Sequence, residues 1–165
     1  MSLGTRVVII GNSGSGKTTL ARDLSLLLDC RAYDLDRIHW QQGVGIKRDE
    51  SQAKSMVSAV AAEPRWIIEG VFGWLAAVAL PFATSLVWLD MPWTVCSEGV
   101  VSRGPSTGST PEQHAELLAW AEAYWHRSTS TSFAGHRALF DNFVGDRYRL
   151  VQRSDTAALL AGNRK

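Results

Sequence analysis

The chain has 165 residues, a formal net charge of +1 and 45% hydrophobic residues, enough apolar material for one domain with a full core. Acidic and basic residues are interspersed, so no basic stripe marks a nucleic-acid or anionic-membrane partner. The longest apolar stretch, Trp74–Ala83, is about half a membrane span and contains Pro81, and Cys30 and Cys96 form no CxxC or Cys/His metal pattern. The expectation is a single soluble, cytoplasmic domain over residues 1–165, monomeric or homodimeric, with no leader sequence.

The first predicted strand, about Arg6–Ile10, is the apolar run Val7-Val8-Ile9-Ile10. It leads into Gly11-Asn12-Ser13-Gly14-Ser15-Gly16-Lys17-Thr18, which fills the pattern G-x-x-x-x-G-K-[ST] without a mismatch. A helix over Lys17–Leu28 follows, with Leu20, Leu24, Leu27 and Leu28 on one face. Strand, glycine loop and helix in that order make a phosphate cradle. Backbone N–H groups turn inward, and the helix start adds partial positive charge. Gly11 to Thr19 are therefore read as the nucleotide-binding set: Lys17 reaches the β- and γ-phosphates, and Thr18 holds Mg²⁺ through its hydroxyl. The cofactor expected is Mg²⁺ with ATP.

A short second strand is predicted near Arg31–Leu35, ending in Tyr33-Asp34-Leu35-Asp36. Asp36 is the acceptor-side acid, as base or hydrogen-bond acceptor for a hydroxyl. Asp34 shares its face if the strand extends that far, and otherwise caps the turn. A loop with Trp40 and Gly43 comes next, then a helix capped by Asp49 and running to about Ala62 before Pro64. Trp66-Ile67-Ile68 is a buried strand ending at Glu69-Gly70, and Glu69 is read as the metal-side acid. Trp74–Leu80 is a short helix stopped by Pro81.

The fourth strand, Leu86–Leu89, ends at Asp90, a helix N-terminal acid ahead of Pro92 and a helix to about Arg103. Gly104–Thr110 is the most loop-like stretch of the chain, and Pro111 to about Arg127 returns to helix. Arg103 and Arg127 bracket this lid region, about 103–111. Both are candidates, with Lys17, Asp36 and Glu69, for catalytic work on bound phosphates. Phe133–Phe143, Tyr148–Val151 and Asp155–Leu160 supply a helix, the last strand and the last helix. Trp40, Trp74 and Trp93 follow strand ends and are weak stacking candidates, whereas Trp66 and Trp88 read as core. His39, His114, His126 and His136 show no metal-ligand spacing. Alternating strands and helices imply a mainly parallel sheet covered on both faces, with the ligand beyond the carboxyl ends of the strands.

In Val8–Thr18, Leu35–Trp40, Trp66–Gly70 and Val87–Pro92 the sequence resembles the adenylate kinase-like P-loop kinases. Within them it is most similar to the small bacterial DNA-topology modulation proteins. The resemblance implies a three-layer α/β P-loop NTPase fold with a five-stranded parallel sheet, the phosphate-loop strand at its centre, and a short helical lid. It also implies an acceptor-binding helical segment after the second strand and adenine contacts near Ser154-Asp155. Two arginines of these kinases are missing. The one a few residues past the Glu69 position is replaced in Val71-Phe72-Gly73-Trp74, and the one four residues before Arg103 is Gly99.

The function expected is an ATP-dependent small-molecule kinase that passes the γ-phosphoryl to a nucleoside, nucleotide or other hydroxyl or phosphate acceptor. The alternative is a non-catalytic nucleotide-binding regulatory protein, an ATP switch. Direct nucleic-acid binding ranks last, and no N-K-x-D motif supports a GTPase.

Overall fold

A computed structural model describes residues 1–41 and 45–164; Gly43 of the predicted loop after Trp40 lies outside the described residues. Five strands form one sheet in the order β2-β3-β1-β4-β5, with every pairing parallel. They are β1 (Arg6–Gly11), β2 (Ala32–Asp34), β3 (Trp66–Gly70), β4 (Ser85–Leu89) and β5 (Asp146–Leu150). Parallel neighbours need crossovers, and helices supply them. These are α1 (Lys17–Leu28), α2 (Leu35–His39), α3 (Glu50–Ala61), α4 (Gly73–Ala79), α5 (Trp93–Arg103), α6 (Pro111–Glu122), α7 (Phe133–Asn142) and α8 (Arg153–Ala161).

The period-two alternation of the strands divides the core between the sheet faces. Val8, Ile10, Trp66, Ile68, Leu86 and Trp88 face α2, α3, α4 and α7. Val7, Ile9, Ile67, Val87 and Leu89 face α1, α5 and α8. Burying each branched aliphatic here contributes about 1.5–3 kcal/mol, and β3 and β4 are buried from end to end and β1 from Val7 onward. Among the described residues no helix is long and apolar enough to cross a membrane.

Local signals set the helix starts. The Asp49 carboxylate accepts the Gln52 N–H at 3.0 Å, as its predicted cap requires. Thr110 and Gln113 form a reciprocal capping box that starts α6 at the end of the link from α5. That link, Gly104–Thr110, is irregular, with a turn at Thr107–Gly108 between the ends of α5 and α6.

The second strand differs from expectation. β2 stops at Asp34, so Asp34 and Asp36 do not share a strand face. Instead the Asp34 carboxylate accepts the Asp36 N–H at 2.8 Å and caps the five-residue α2, placing Asp36 in the helix's first turn. A side chain that satisfies an orphan helix amide competes with continued pairing, and here the cap wins.

Candidate active site

The carboxyl ends of β1, β2 and β3 open into a cleft of about 1440 Å³. Its lining brings together most of the residues singled out by sequence: Ser13, Gly14, Gly16, Lys17, Thr18, Thr19, Asp34, Asp36, Trp40, Glu69 and Arg103. Gly11, Asn12 and Ser15 lie beneath the lining; Asn12 and Ser15 are buried. The loop wraps as predicted. Gly14 has φ +76°, and a Cβ there would run into the Cys96 carbonyl, so the position demands glycine twice over.

The Lys17 ammonium donates to the Asn12 carbonyl at 2.8 Å, which curls the side chain back over the loop it would serve. The Thr18 hydroxyl donates to Glu69 Oε1 at 2.7 Å across the sheet. Register explains this meeting: Glu69 pairs with Ile9 on β1 and with Asp34 on β2. One loop hydroxyl and two carboxylates therefore converge beside one ammonium.

Glu69 is only 3% exposed. Burial pushes its carboxyl above the usual range, Lys17 opposes that shift and the neighbouring Asp34 adds to it. Asp34 is raised first by burial and then by Asp36, against the pull of its bond to the Asp36 amide and of Lys17. Such a pocket holds protons more tightly than water does and gains from a cation. Among the described residues no three His, Cys, Asp or Glu side chains cluster as a metal cage. Mg²⁺ does not require one, because it keeps waters and shares phosphate oxygens with few protein ligands, and a hydroxyl beside a buried carboxylate fits that donor set.

Arg127 is not brought to the cleft. Its guanidinium donates to the carbonyls of Trp120 and, at 2.9 Å, of Thr131, and lies 4.1 Å over the Trp120 ring. It ties the turn after α6 together, and no fork is left to reach phosphate. Asp90 is where the sequence put it, at the end of β4. Arg149 Nε holds it at 2.9 Å, beside a separate hollow of about 500 Å³ lined by Trp93 and Trp125. Trp74 packs against the core and Trp40 lines the cleft.

Sequence reasoning missed Arg37 and Arg153, both in the lining. Arg37 follows Asp36 in α2 and could have been noticed; Arg153 opens α8 and donates to the Ser15 carbonyl at 2.7 Å, a contact with no local signal. It also missed His136, which is fully buried. His136 Nε2 donates to the Val71 carbonyl at 2.9 Å, Tyr124 Oη donates to its Nδ1 at 2.7 Å, and Trp88 Nε1 donates to Tyr124 at 3.2 Å. The Val71 carbonyl can only accept, which fixes the tautomer and the direction of the chain. Burial depresses the imidazole to about 4, keeping it neutral. This buried relay holds the backbone two residues beyond Glu69.

Gly73 and Gly99, read as lost arginines, are close-approach positions. A Cβ at Gly73 would strike the Ser130 carbonyl, and one at Gly99 would strike the carbonyl of Gly14 in the phosphate loop. The backbone of α5 sits directly on the loop, so a longer side chain has no room there.

The sequence matches no family model and no curated protein. Solved structures do resemble it. A shikimate kinase from Bacteroides thetaiotaomicron superposes with a TM-score of 0.60 at 15% identity, covering 96% of this chain and 95% of that one. A sugar kinase from Janibacter sp. HTCC2649 gives 0.55 at 19% identity, covering 96% and 92%. A gluconokinase from Sinorhizobium meliloti 1021 gives 0.54 at 15% identity, covering 98% and 94%. At these identities the likeness speaks for architecture: the chain has the P-loop-type fold of small-molecule kinases.

Proposed function

We propose that the protein is a Mg·ATP-dependent small-molecule kinase that transfers the γ-phosphoryl group to a hydroxyl or phosphate acceptor held near Asp36, Arg37 and Trp40. The observation that carries this reading is the 2.7 Å bond between the Thr18 hydroxyl and Glu69, beside Lys17 in a complete phosphate loop. Thr18 and Glu69 would hold the ion, which when bound supplies charge neutralisation for the phosphates. The loop amides and Lys17 bind and orient the triphosphate. Asp36, exposed at the rim, accepts the hydrogen of an acceptor hydroxyl and aligns it. Arg103, exposed at the end of α5 in the cleft lining, is offered as the cation that covers the phosphates, with Arg153 beside the loop as a second. Arg37 suits an acceptor that carries an anionic group.

The resemblance to the topology-modulation group is retained on its four sequence segments only. A second reading, the ATP switch, is favoured by Gly73 and Gly99, because backbone packing at both positions leaves no room for a phosphate-gripping arginine.

The test is ADP release from Mg·ATP against a panel of sugars, shikimate-like acids, nucleosides and nucleoside monophosphates. A kinase gives release that depends on one acceptor class and disappears in Lys17→Ala. In Asp36→Asn such release falls about a hundredfold, within the usual span for a positioned acid–base group, while ATP affinity holds. ATP binding without acceptor-dependent release establishes the switch instead.

A further inference from the structure

The lid link joins two helices that are seated on the phosphate loop in different ways. α5 is held by close backbone packing at Gly14 and Gly99. α6 is a surface helix: of its twelve residues only Ala121 is buried. At that residue it meets the loop. Asn12, 1% exposed, donates from Nδ2 to the Ala121 carbonyl at 2.8 Å. Ala121 lies in the last turn, where a helix leaves carbonyls without regular partners, so the bond caps α6 from outside. The other end of the same amide accepts the Ser13 N–H at 2.8 Å, which fixes its orientation. The Asn12 main-chain carbonyl meanwhile accepts from Lys17 Nζ at 2.8 Å and from Ser15 N at 3.2 Å.

We propose that Asn12 is a positioning residue that couples the phosphate loop, and through its own carbonyl the Lys17 ammonium, to the helix that returns from the lid. The Asn12–Ala121 bond is buried and uncharged, and so insensitive to salt. Coupling is reciprocal: if the seat of α6 biases the loop, a ligand on the loop must be felt in α6 by the same free energy. A displacement that carries the last turn of α6 with it must stretch or break the Asn12–Ala121 bond, and Ala121 is the one residue of that helix that is buried. Asn12 thus turns a phosphate loop, ordinarily a rigid cradle, into one that senses whether its lid helix is seated.

The ligand arm of the test rests on the nucleotide reading above; a second arm does not. Amide hydrogen exchange over Trp120–Arg127 is measured with and without saturating Mg·ATP in the wild type, Asn12→Ala and Asn12→Asp, with calorimetry reporting nucleotide affinity in each. Asn12→Ala removes the tether without adding charge, and Asn12→Asp keeps the acceptor for Ser13 N–H while setting a repelling oxygen against the Ala121 carbonyl. In the wild type Mg·ATP slows exchange across this segment at least about fivefold, the lower end of ordinary coupling between sites. In both variants the segment exchanges faster without nucleotide, and at Mg·ATP concentrations that calorimetry shows to saturate each variant the response to it is gone; a variant too weak to saturate is judged by acetic anhydride labelling of Lys17. Survival of the nucleotide-induced protection in Asn12→Asp, or its absence in a wild type that binds Mg·ATP, overturns the proposal. If the wild type binds no Mg·ATP, the nucleotide reading falls, and the tether is judged by the rate at which acetic anhydride labels Lys17. That rate must rise in Asn12→Ala, which adds no charge beside the ammonium, and an unchanged rate refutes the coupling.

Discussion

The two walls of the cleft are built by different means. The phosphate wall is made of backbone and buried side chains: Asn12, Lys17 and Glu69 are all buried, and each is fixed by a hydrogen bond or ion-pair neighbour within the sheet and loop. The opposite wall is made of exposed side chains on α2 and at the end of α5, namely Asp36, Arg37 and Arg103. On the proposed function, triphosphate binding is thus tied to the fold, whereas the groups offered to the acceptor and over the phosphates can change without disturbing the core. Substitutions on the first wall should change both stability and function, and those on the second should change function alone.

Gly99→Arg is the strongest way to break this contrast. Reading the sequence alone, it restores a missing phosphate-binding arginine and should help. The structure predicts the reverse, because any side chain there meets the Gly14 carbonyl. Overpacking against backbone costs about 3 kcal/mol, and the displaced loop loses Mg·ATP affinity as well. Urea unfolding and calorimetry check both effects, and a stable variant that binds ATP more tightly would refute the packing argument.

His136→Ala comes next. It leaves the buried Val71 carbonyl without its donor and the Tyr124 hydroxyl hydrogen without its acceptor, Trp88 still donating to the Tyr124 oxygen, at about 1–3 kcal/mol for each group left unsatisfied. The pH dependence carries the sign. The folded imidazole titrates near 4, well below its unfolded value, so its contribution is complete above the unfolded pKa and is lost as pH falls towards 4. Replacement by Gln, which can donate to Val71 and accept from Tyr124, should retain most of the stability and remove that part of the acid-side slope. An unaltered slope in His136→Gln would assign the acid sensitivity elsewhere.

The same contrast accounts for what could be read from the chain. The inner strands, the phosphate loop and the place of Glu69 follow from short-range patterns: apolar runs of three or four residues, a loop motif of eight, an acid at a strand end. The pattern alone carries the second strand to about Leu35, with Asp34 either on its face or capping the turn; the cap is what forms, ending β2 at Asp34 and starting the short α2, because one carboxylate tips the local balance from pairing to capping. Asn12–Ala121 spans 109 residues and His136–Val71 spans 65, and no periodicity records a partner so distant. Arg127 sits at the predicted helix end but is drawn to two carbonyls of its own turn, a choice made by hydrogen-bond supply after the chain has folded. Gly73 and Gly99 look like lost function in sequence and prove to be contact points in structure, because a glycine's role depends on what approaches it.

Glu69→Gln tests the phosphate wall most finely, since it should strengthen the fold while weakening the site. Burial raises the Glu69 carboxyl more than Lys17 lowers it, so ionising it costs more in the folded chain than in the unfolded one. The sign is opposite to that of His136: stability is present below the unfolded pKa and is lost as pH rises through the folded value. At pH 7 the neutral amide escapes that loss and still accepts the Thr18 hydroxyl through its own carbonyl. A gain of about 1 kcal/mol raises Tm by roughly 2–4 °C in a domain of this size. The gain should shrink towards zero by about pH 4, where the wild-type carboxyl is itself protonated. Adding Mg·ATP should reverse the order at pH 7, stabilising the wild type more than the variant, because only the carboxylate can take up the ion's charge. A variant that melts below the wild type at pH 7 without ligand would mean that attraction to Lys17 outweighs desolvation, and that Glu69 is held for stability rather than for a metal.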